Sequence, residues 1–153
     1  MSFKYEITTQ KTQPAVSIRK RTSVSKLPDV IKDSYESIAK HLEQTGGECS
    51  GAPFAIYYNM DINDLDVEMG FPVASSIKEK GEIKNSAIPV GKVVAFSHIG
   101  PYSELEKTYG YAINWMKENN FEGSGIVCEM YPNDPAVTPQ DELVTEIKFY
   151  LKN

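Results

Sequence analysis

The sequence contains the same order of predicted elements twice, and this duplication restricts the possible folds more than any other feature. Segment 15–73 has the pattern strand, helix, strand, strand, and segment 93–151 repeats it. The aligned pairs are Ala15–Ile18 with Val93–Phe96 at an offset of 78 (93 − 15), Tyr35 with Tyr109 at 74 (109 − 35), and Asp66–Val73 with Val144–Leu151 at 78 (144 − 66). Such a duplication usually builds one pseudo-symmetric body, and pockets often lie where two halves meet. We therefore predict a single domain with repeats over about 1–76 and 81–153.

Apolar spacing predicts the helices and strands of each repeat. The first helix has Pro28 in its first turn and Gly46 at its end. The second is expected to begin at the Ser103–Glu106 capping box and to end at Asn119–Asn120. The apolar stripes recur every three or four residues, at Ile31, Tyr35, Ile38 and Leu42 in the first helix and at Leu105, Tyr109, Ala112 and Met116 in the second. The predicted strands are 3–10, 13–23, 54–58, 65–73, 83–88, 93–99, 125–131 and 143–151.

Charge and hydropathy exclude several classes of protein. The 153 residues carry a formal charge of −5, and the one basic run, Arg19–Arg21, is typical of a solvated strand end. Direct nucleic-acid binding is not expected, because it requires clustered Lys and Arg. Membrane insertion is not expected either, because no apolar run approaches the roughly 20 residues that span a bilayer. We expect a soluble, cytoplasmic protein.

The sequence offers no pattern for a metal or a cofactor. His41 and His98 have no Cys or His at ligand spacing, and there is no glycine-rich phosphate loop. Cys49 and Cys128 are expected to be reduced thiols, with a disulfide between them as the alternative. His98 is either a titrating pocket residue or a hydrogen-bonded surface residue, and we favour the second. No metal and no cofactor are predicted.

Three stretches of the sequence are similar to a known family. The segment Val93–Leu105 (VVAFSHIGPYSEL), followed by Tyr109 and Trp115-Met116, resembles the GyrI-like small-molecule-binding domain. Thr145–Leu151 resembles the closing strand of that family, and Asp66–Val73 resembles the counterpart strand of its first half. The resemblance covers nearly the whole chain.

The resemblance implies a fold and a biological setting. It implies an α+β fold in which two pseudo-symmetric βαββ repeats form one antiparallel sheet, with two helices beside it and a pocket between the halves. The same domain is the effector-binding module of some MerR- and AraC-type transcription activators. Two departures stand out: no helix-turn-helix precedes Phe3, and Phe149–Leu151 replaces a frequent proline. A DNA-binding regulator or DNA gyrase is thus a possible partner whose identity the sequence leaves open.

Glu146 is the predicted functional carboxylate. Alternation places Glu146 on one face of the last strand and Thr145 and Ile147 on the other. Spacing leaves open that Glu146 faces water, but the resemblance implies that it faces the pocket. A buried carboxylate without a fixed cation has a raised pKa and can bind a cationic ligand or carry a proton. Its repeat partner Glu68 is a second candidate, expected to be the solvated or structural member of the pair.

Aromatic residues are the candidate walls of the pocket. Tyr109 is either a core tyrosine or, as the resemblance implies, a residue whose hydroxyl lies next to Glu146. The further wall candidates, each of which could equally be plain core, are Trp115, Phe96, Tyr57 and Met69. Aromatic walls with one carboxylate suit flat organic cations.

Three functions are consistent with these residues. The first, which we favour, is a stand-alone domain that binds lipophilic, often cationic small molecules, as a multidrug-type sensor or a sequestering module in transcription regulation. The second is a hydrolase of strained electrophilic ring toxins, in which Glu146 activates water and Tyr109 stabilises the developing oxyanion. The third is an inhibitor of DNA gyrase that acts by binding protein, with which the acidic charge is compatible but which it is too weak to support.

Overall fold

A computed structural model describes residues 3–152 and shows one eight-stranded sheet with two long helices. The helices are α1 (Leu27–Thr45) and α2 (Leu105–Glu118). The strands are β1 (Glu6–Gln10), β2 (Gln13–Thr22), β3 (Phe54–Tyr57), β4 (Leu65–Pro72), β5 (Lys84–Ile88), β6 (Gly91–Ile99), β7 (Gly123–Met130) and β8 (Val144–Leu151). All pairings are antiparallel, in the order β1-β6-β8-β7-β3-β4-β2-β5. The predicted α+β fold is confirmed; the ends of the predicted repeats at residues 1, 2 and 153 lie outside the described residues.

The strand registers preserve the duplication. Arg19 lies opposite Glu68 in the β2–β4 pair, and Ser97 lies opposite Glu146 in the β6–β8 pair. The second pair therefore repeats the first, with both residue numbers increased by 78. At the centre of the sheet, Ala55 of β3 lies directly opposite Glu129 of β7. These two positions are 74 apart (129 − 55), which is the offset that also relates Tyr35 to Tyr109. The pseudo-twofold axis therefore passes between Ala55 and Glu129.

The outermost strands are exchanged between the halves. β1, which precedes the first repeat motif, pairs with β6 of the second half over five residue pairs. β5, which leads into the second half, pairs with β2 of the first over five residue pairs. Each half of the sheet is thus completed by a strand from the segment preceding the other half.

Both faces of the sheet are packed, and the two helices cover one of them. Under α2, Ala112 and Met116 contact Phe149 and neighbouring side chains, and under α1, Ile38 and Leu42 contact Val16. On the opposite face, Phe54 and other side chains from both halves form a separate buried cluster. Burying each large apolar side chain contributes about 1.5–3 kcal/mol, so the fully buried positions on both faces stabilise the sheet and its packing against the helices.

The helix ends match the predictions in one case and not in the other. α1 ends at Gly46, whose left-handed backbone (φ 72°) lets its amide donate to the Leu42 carbonyl. The predicted capping box at Ser103 does not form. A 3₁₀ turn over Tyr102–Glu104 precedes α2, which begins at Leu105 without a side-chain cap. Neither helix within residues 3–152 is long and apolar enough to cross a membrane.

Candidate functional site

A buried carboxylate lies at the centre of the sheet, on the face that the helices cover. Glu129 of β7 is only 5% exposed, and it is on the same face as Val127, which packs under α2. The Tyr131 hydroxyl donates a 2.6 Å hydrogen bond to Glu129 Oε1, and the Tyr109 hydroxyl donates to Oε2. No Lys, Arg or His forms an ion pair with Glu129 within residues 3–152. Two neutral donors therefore hold this carboxyl group.

Four tyrosines related by the duplication surround Glu129. Tyr35 of α1 is the counterpart of Tyr109 of α2, and Tyr57 of β3 is the counterpart of Tyr131, both at an offset of 74. The Tyr35 hydroxyl donates to the Phe54 carbonyl at 2.5 Å. A fifth ring, Tyr102, meets Tyr131 edge-on with 5.9 Å between ring centroids. The surroundings of Glu129 are thus aromatic on both sides of the pseudo-axis, but only the second repeat supplies a charge.

Burial governs the electrostatics of this group. Loss of water raises the pKa of Glu129, while the tyrosine hydrogen bonds and the nearby His98 oppose that rise. Burial also raises the pKa of Tyr109 and of Tyr131, with the Glu129 charge acting in the same direction. Both hydroxyls consequently remain protonated donors at neutral pH.

His98 connects β6 to the start of α2 beside this site. It is 4% exposed, and its Nδ1 lies 2.6 Å from Thr108 Oγ1 while its Nε2 lies 3.0 Å from the Pro101 carbonyl oxygen. A carbonyl can only accept, so Nε2 carries the hydrogen, and the Thr108 hydroxyl can donate to Nδ1. The predicted hydrogen bonding is present, but the predicted surface position is wrong, because His98 shares the helix-covered face with Phe96.

A surface groove of about 370 Å³ extends from α2 and β7 to Tyr109. Its walls are mostly apolar, and Lys117 and Glu122 are its charged members. The apolar lining residues are Met60, Ile113, Met116, Phe121, Ile126, Val127 and Phe149. Tyr109 both lines the groove and hydrogen-bonds Glu129, so it is the residue shared by the groove and the buried carboxylate.

The expectation that Glu146 is sheltered is wrong. Its side chain is exposed on β8, whereas Thr145 and Ile147 are fully buried. Alternation places Glu146 on the face opposite α2, where with Lys148 it lines a groove of about 530 Å³ beside β1. Tyr109 does hydrogen-bond a carboxylate, but the carboxylate is Glu129 of β7.

Glu68 is buried on the face of the sheet away from the helices. Of the two expectations for this residue, solvated or structural, the first is therefore wrong. Ser17 Oγ donates to Glu68 Oε2 at 2.5 Å, the Tyr58 hydroxyl donates to Oε1 at 2.5 Å, and Ser86 Oγ lies 2.7 Å from Ser17 Oγ. The Arg19 guanidinium stacks on the Tyr58 ring at 3.8 Å. These contacts satisfy the carboxylate within the sheet and indicate a structural role.

Ser17→Ala is expected to lower the free energy of unfolding by about 1–2 kcal/mol, because Glu68 loses one of two donors while it stays buried. Urea denaturation measures the loss. Ser25→Ala is the matched control, since its hydroxyl bonds only Ser23 on the surface, and its effect should stay within about 0.5 kcal/mol. Equal losses in the two variants would contradict a structural role for this network.

The other predicted wall residues separate into two groups. Tyr57 and Met69 belong to the cluster that includes Tyr131, so they are near Glu129. Trp115 stacks on Tyr5 at 4.7 Å and on Phe121 at 5.5 Å, toward β1. Phe96 contacts Tyr5 at 5.3 Å and Phe149 at 5.2 Å, and is 4% exposed. Trp115 and Phe96 are thus packed in the α2 layer and do not line the Glu129 site.

Glu129 was missed, although the sequence contains a signal for it. Val127, Glu129 and Tyr131 alternate, so a charged residue shares its face with an apolar and an aromatic one. Applying the helix offset of 74 to the strand that follows the helix in each repeat would also have paired Tyr131 with Tyr57. Cys49 is exposed and Cys128 is buried, and both are free thiols, as expected. Within residues 3–152 no group of three His, Cys, Asp or Glu side chains could hold a metal ion.

Comparison with known proteins identifies the family. The model of the GyrI-like small molecule binding domain matches residues 3–152. The chain belongs to this family. No curated protein matches the sequence. The GyrI-like assignment makes the chain a small-molecule-binding domain, in agreement with the buried aromatic site between its halves.

Solved structures share the GyrI-like fold at low identity. The EcmrR C-terminal domain has a TM-score of 0.86 at 22% identity, covering 100% of this chain and 99% of that chain. In the EcmrR–DNA complex (TM-score 0.85, 21% identity), the match covers 99% of this chain but spans only 58% of the EcmrR chain. SAV2435 bound to tetraphenylphosphonium has a TM-score of 0.70 at 10% identity, covering 98% and 94% of the two chains. A hydrolase from Listeria innocua has a TM-score of 0.68 at 12% identity, covering 97% and 92%.

Proposed function

We propose that this domain binds lipophilic aromatic cations, with Glu129 as the counter-charge and the surrounding tyrosines as the walls. The observation that carries the proposal is a carboxyl group, 5% exposed, whose hydrogen-bond partners are two neutral hydroxyls. An ionised carboxylate in such a place is costly unless a positive charge accompanies it. A cationic ligand would supply that charge.

The groove along α2 offers a route to the carboxylate. A ligand whose apolar part lies along Ile113, Met116 and Phe149 would reach the ring of Tyr109. Rotation of Tyr109 would free one oxygen of Glu129 for the cation, while Tyr131 keeps the other. Each cation–aromatic contact contributes about 0.5–2 kcal/mol, so modest affinity and broad selectivity are expected.

The binding of a lipophilic cation by a protein of the same fold supports the proposal. The SAV2435 structure contains tetraphenylphosphonium, a cation with four aromatic rings. A sensor role would require coupling to a DNA-binding part, as the EcmrR–DNA complex illustrates for EcmrR. Sequestration of the ligand would require no partner.

Calorimetric titration with 1-methyl-4-phenylpyridinium tests the function. Its neutral analogue 4-phenylpyridine is the matched probe, used at pH 8, where its ring nitrogen is unprotonated. We expect a dissociation constant of about micromolar order for the cation and at least about tenfold weaker binding of the neutral analogue. Equal affinity for the two probes, or no binding of the cation, would contradict the proposal.

Hydrolysis of strained electrophilic rings is the second candidate. The pairing of Tyr109 with Glu129 favours it, because the carboxylate could take a proton from water as it attacks a ring carbon, and the hydroxyl could stabilise the developing negative charge. A panel of epoxide- and cyclopropane-containing electrophiles separates the two functions. Turnover that disappears in Glu129→Gln would establish hydrolysis, and the absence of turnover alongside cation binding would leave the binding function. Gyrase inhibition stays a prediction, which capture of gyrase by the purified domain would test.

A further inference from the structure

Glu129 has two cross-strand neighbours, Ile147 of β8 and Ala55 of β3, and Ala55 is the smallest side chain in the site. Ala55 lies directly opposite Glu129 across the β3–β7 pair, and the pseudo-twofold axis passes between them. In an antiparallel pair, opposed Cβ atoms are about 4.5–5.5 Å apart. The tyrosines of the site are matched across the axis, Tyr35 with Tyr109 and Tyr57 with Tyr131. Glu129 is the exception, because the equivalent position in the first repeat is the uncharged Ala55.

Ala55 is fully buried among the aromatic walls. Its neighbours include Tyr35, Tyr57, Met69 and Tyr131. A ligand ring held by Glu129 would lie against its methyl group, because no longer side chain occupies that position. A carboxylate at position 55 would instead stand beside Glu129 on the same face, where two like charges repel and favour a doubly charged ligand.

On the basis of the proposed function, we propose that Ala55 sets the charge of the ligand: the site takes an aromatic ligand with a single buried positive charge, whose uncharged part lies against Ala55. A second cationic group would be buried without a counter-charge. The other ionisable groups whose charges act on this cluster do not supply one. Burial raises the pKa of the Cys128 thiol to about 12, so that group is uncharged at neutral pH. His98 can only add positive charge, and Asp134, whose charge acts on Tyr102, is exposed to solvent.

Two probes with the same two-ring scaffold test this inference. 1-Methyl-4-phenylpyridinium carries one charge, and 1,1′-dimethyl-4,4′-bipyridinium carries two. We expect the wild-type protein to bind the monocation at least about tenfold more tightly. Ala55→Glu is expected to shift the ratio of the two dissociation constants by at least about tenfold toward the dication, because it adds the missing counter-charge.

Two further variants separate charge from volume. Ala55→Gln adds the same volume without a charge, so both probes should weaken while the preference for the monocation remains. The double variant Ala55→Glu/Glu129→Ala moves the carboxylate across the pseudo-axis, and it should retain a preference for the monocation. If Ala55→Glu does not fold, the wild-type ratio and the double variant decide the question.

The outcomes distinguish this inference from the function on which it rests. If the wild-type protein binds neither probe, both fail. If it binds the monocation through Glu129 but binds the dication equally well, or if Ala55→Glu leaves the ratio unchanged, only the role of Ala55 is overturned. Loss of the monocation preference in Ala55→Gln would likewise assign the effect to volume and overturn it.

Discussion

Glu129→Gln is expected to weaken the binding of 1-methyl-4-phenylpyridinium about a hundredfold, which corresponds to roughly 2.7 kcal/mol. The substitution keeps the shape of the side chain and removes the charge that would pair with the cation. Titration calorimetry measures the loss. Binding of neutral 4-phenylpyridine should change little, because it gains nothing from the carboxylate.

Glu146→Gln is the matched control. It makes the same chemical change on the neighbouring strand β8, where the side chain is exposed on the opposite face of the sheet. Its affinity for the cation should equal that of the wild-type protein. If Glu146→Gln lost binding and Glu129→Gln kept it, the ligand would occupy the groove beside β1, and the assignment of the site to the helix-covered face would be wrong.

The affinity for cations is expected to rise with pH and then reach a plateau. Burial raises the pKa of Glu129 above its ordinary value, so at lower pH the cation must replace a bound proton. Below the raised pKa the affinity should fall by up to about tenfold per pH unit. Titrations in buffers of different ionisation enthalpy should show proton release on binding. An affinity that does not change from pH 5 to pH 8 would contradict this coupling.

The raised pKa of Glu129 has an opposite consequence for stability. Between the ordinary and the raised pKa, the folded protein holds a proton on Glu129 that the unfolded chain has lost, so the free energy of unfolding decreases as pH rises. A tenfold difference in proton affinity between the folded and unfolded states corresponds to about 1.4 kcal/mol. Urea denaturation at pH 5 and pH 8 measures this effect. Relative to the wild-type protein, the free energy of unfolding of Glu129→Gln should be higher at pH 8 than at pH 5. The other ionisable side chains are the same in both proteins, so the comparison isolates Glu129.

Sequence reasoning succeeded where periodicity and duplication determine the structure. The offset of 78 between Ala15 and Val93 predicted the equivalent places of β2 and β6 in the two halves. The spacing of Ile38 and Leu42 predicted the buried side of α1. These features depend on local geometry and on the recurrence of element order, both of which the sequence contains.

The buried carboxylate was predicted at the wrong residue for a physical reason. Alternation divides β8 into two faces correctly, but it does not say which face the helices cover. Glu146 and Lys148 share one face and Ile147 and Phe149 the other, and it is the apolar pair that packs under α2. The burial of Glu129 depends on tyrosines from both helices and on Ala55 of the opposite strand, and these meet only in the folded chain.

The exchange of β1 and β5 limits how this molecule can admit a guest. A hinge motion that separates the two halves would break the main-chain hydrogen bonds of the β1–β6 and β2–β5 pairs. Entry must therefore rely on smaller motions, such as the turning of a phenol ring or the shift of a helix over a rigid floor. The hydrogen-bonded sheet would then keep its shape when a ligand enters, and any conformational change would be confined to the side chains and helices that cover it.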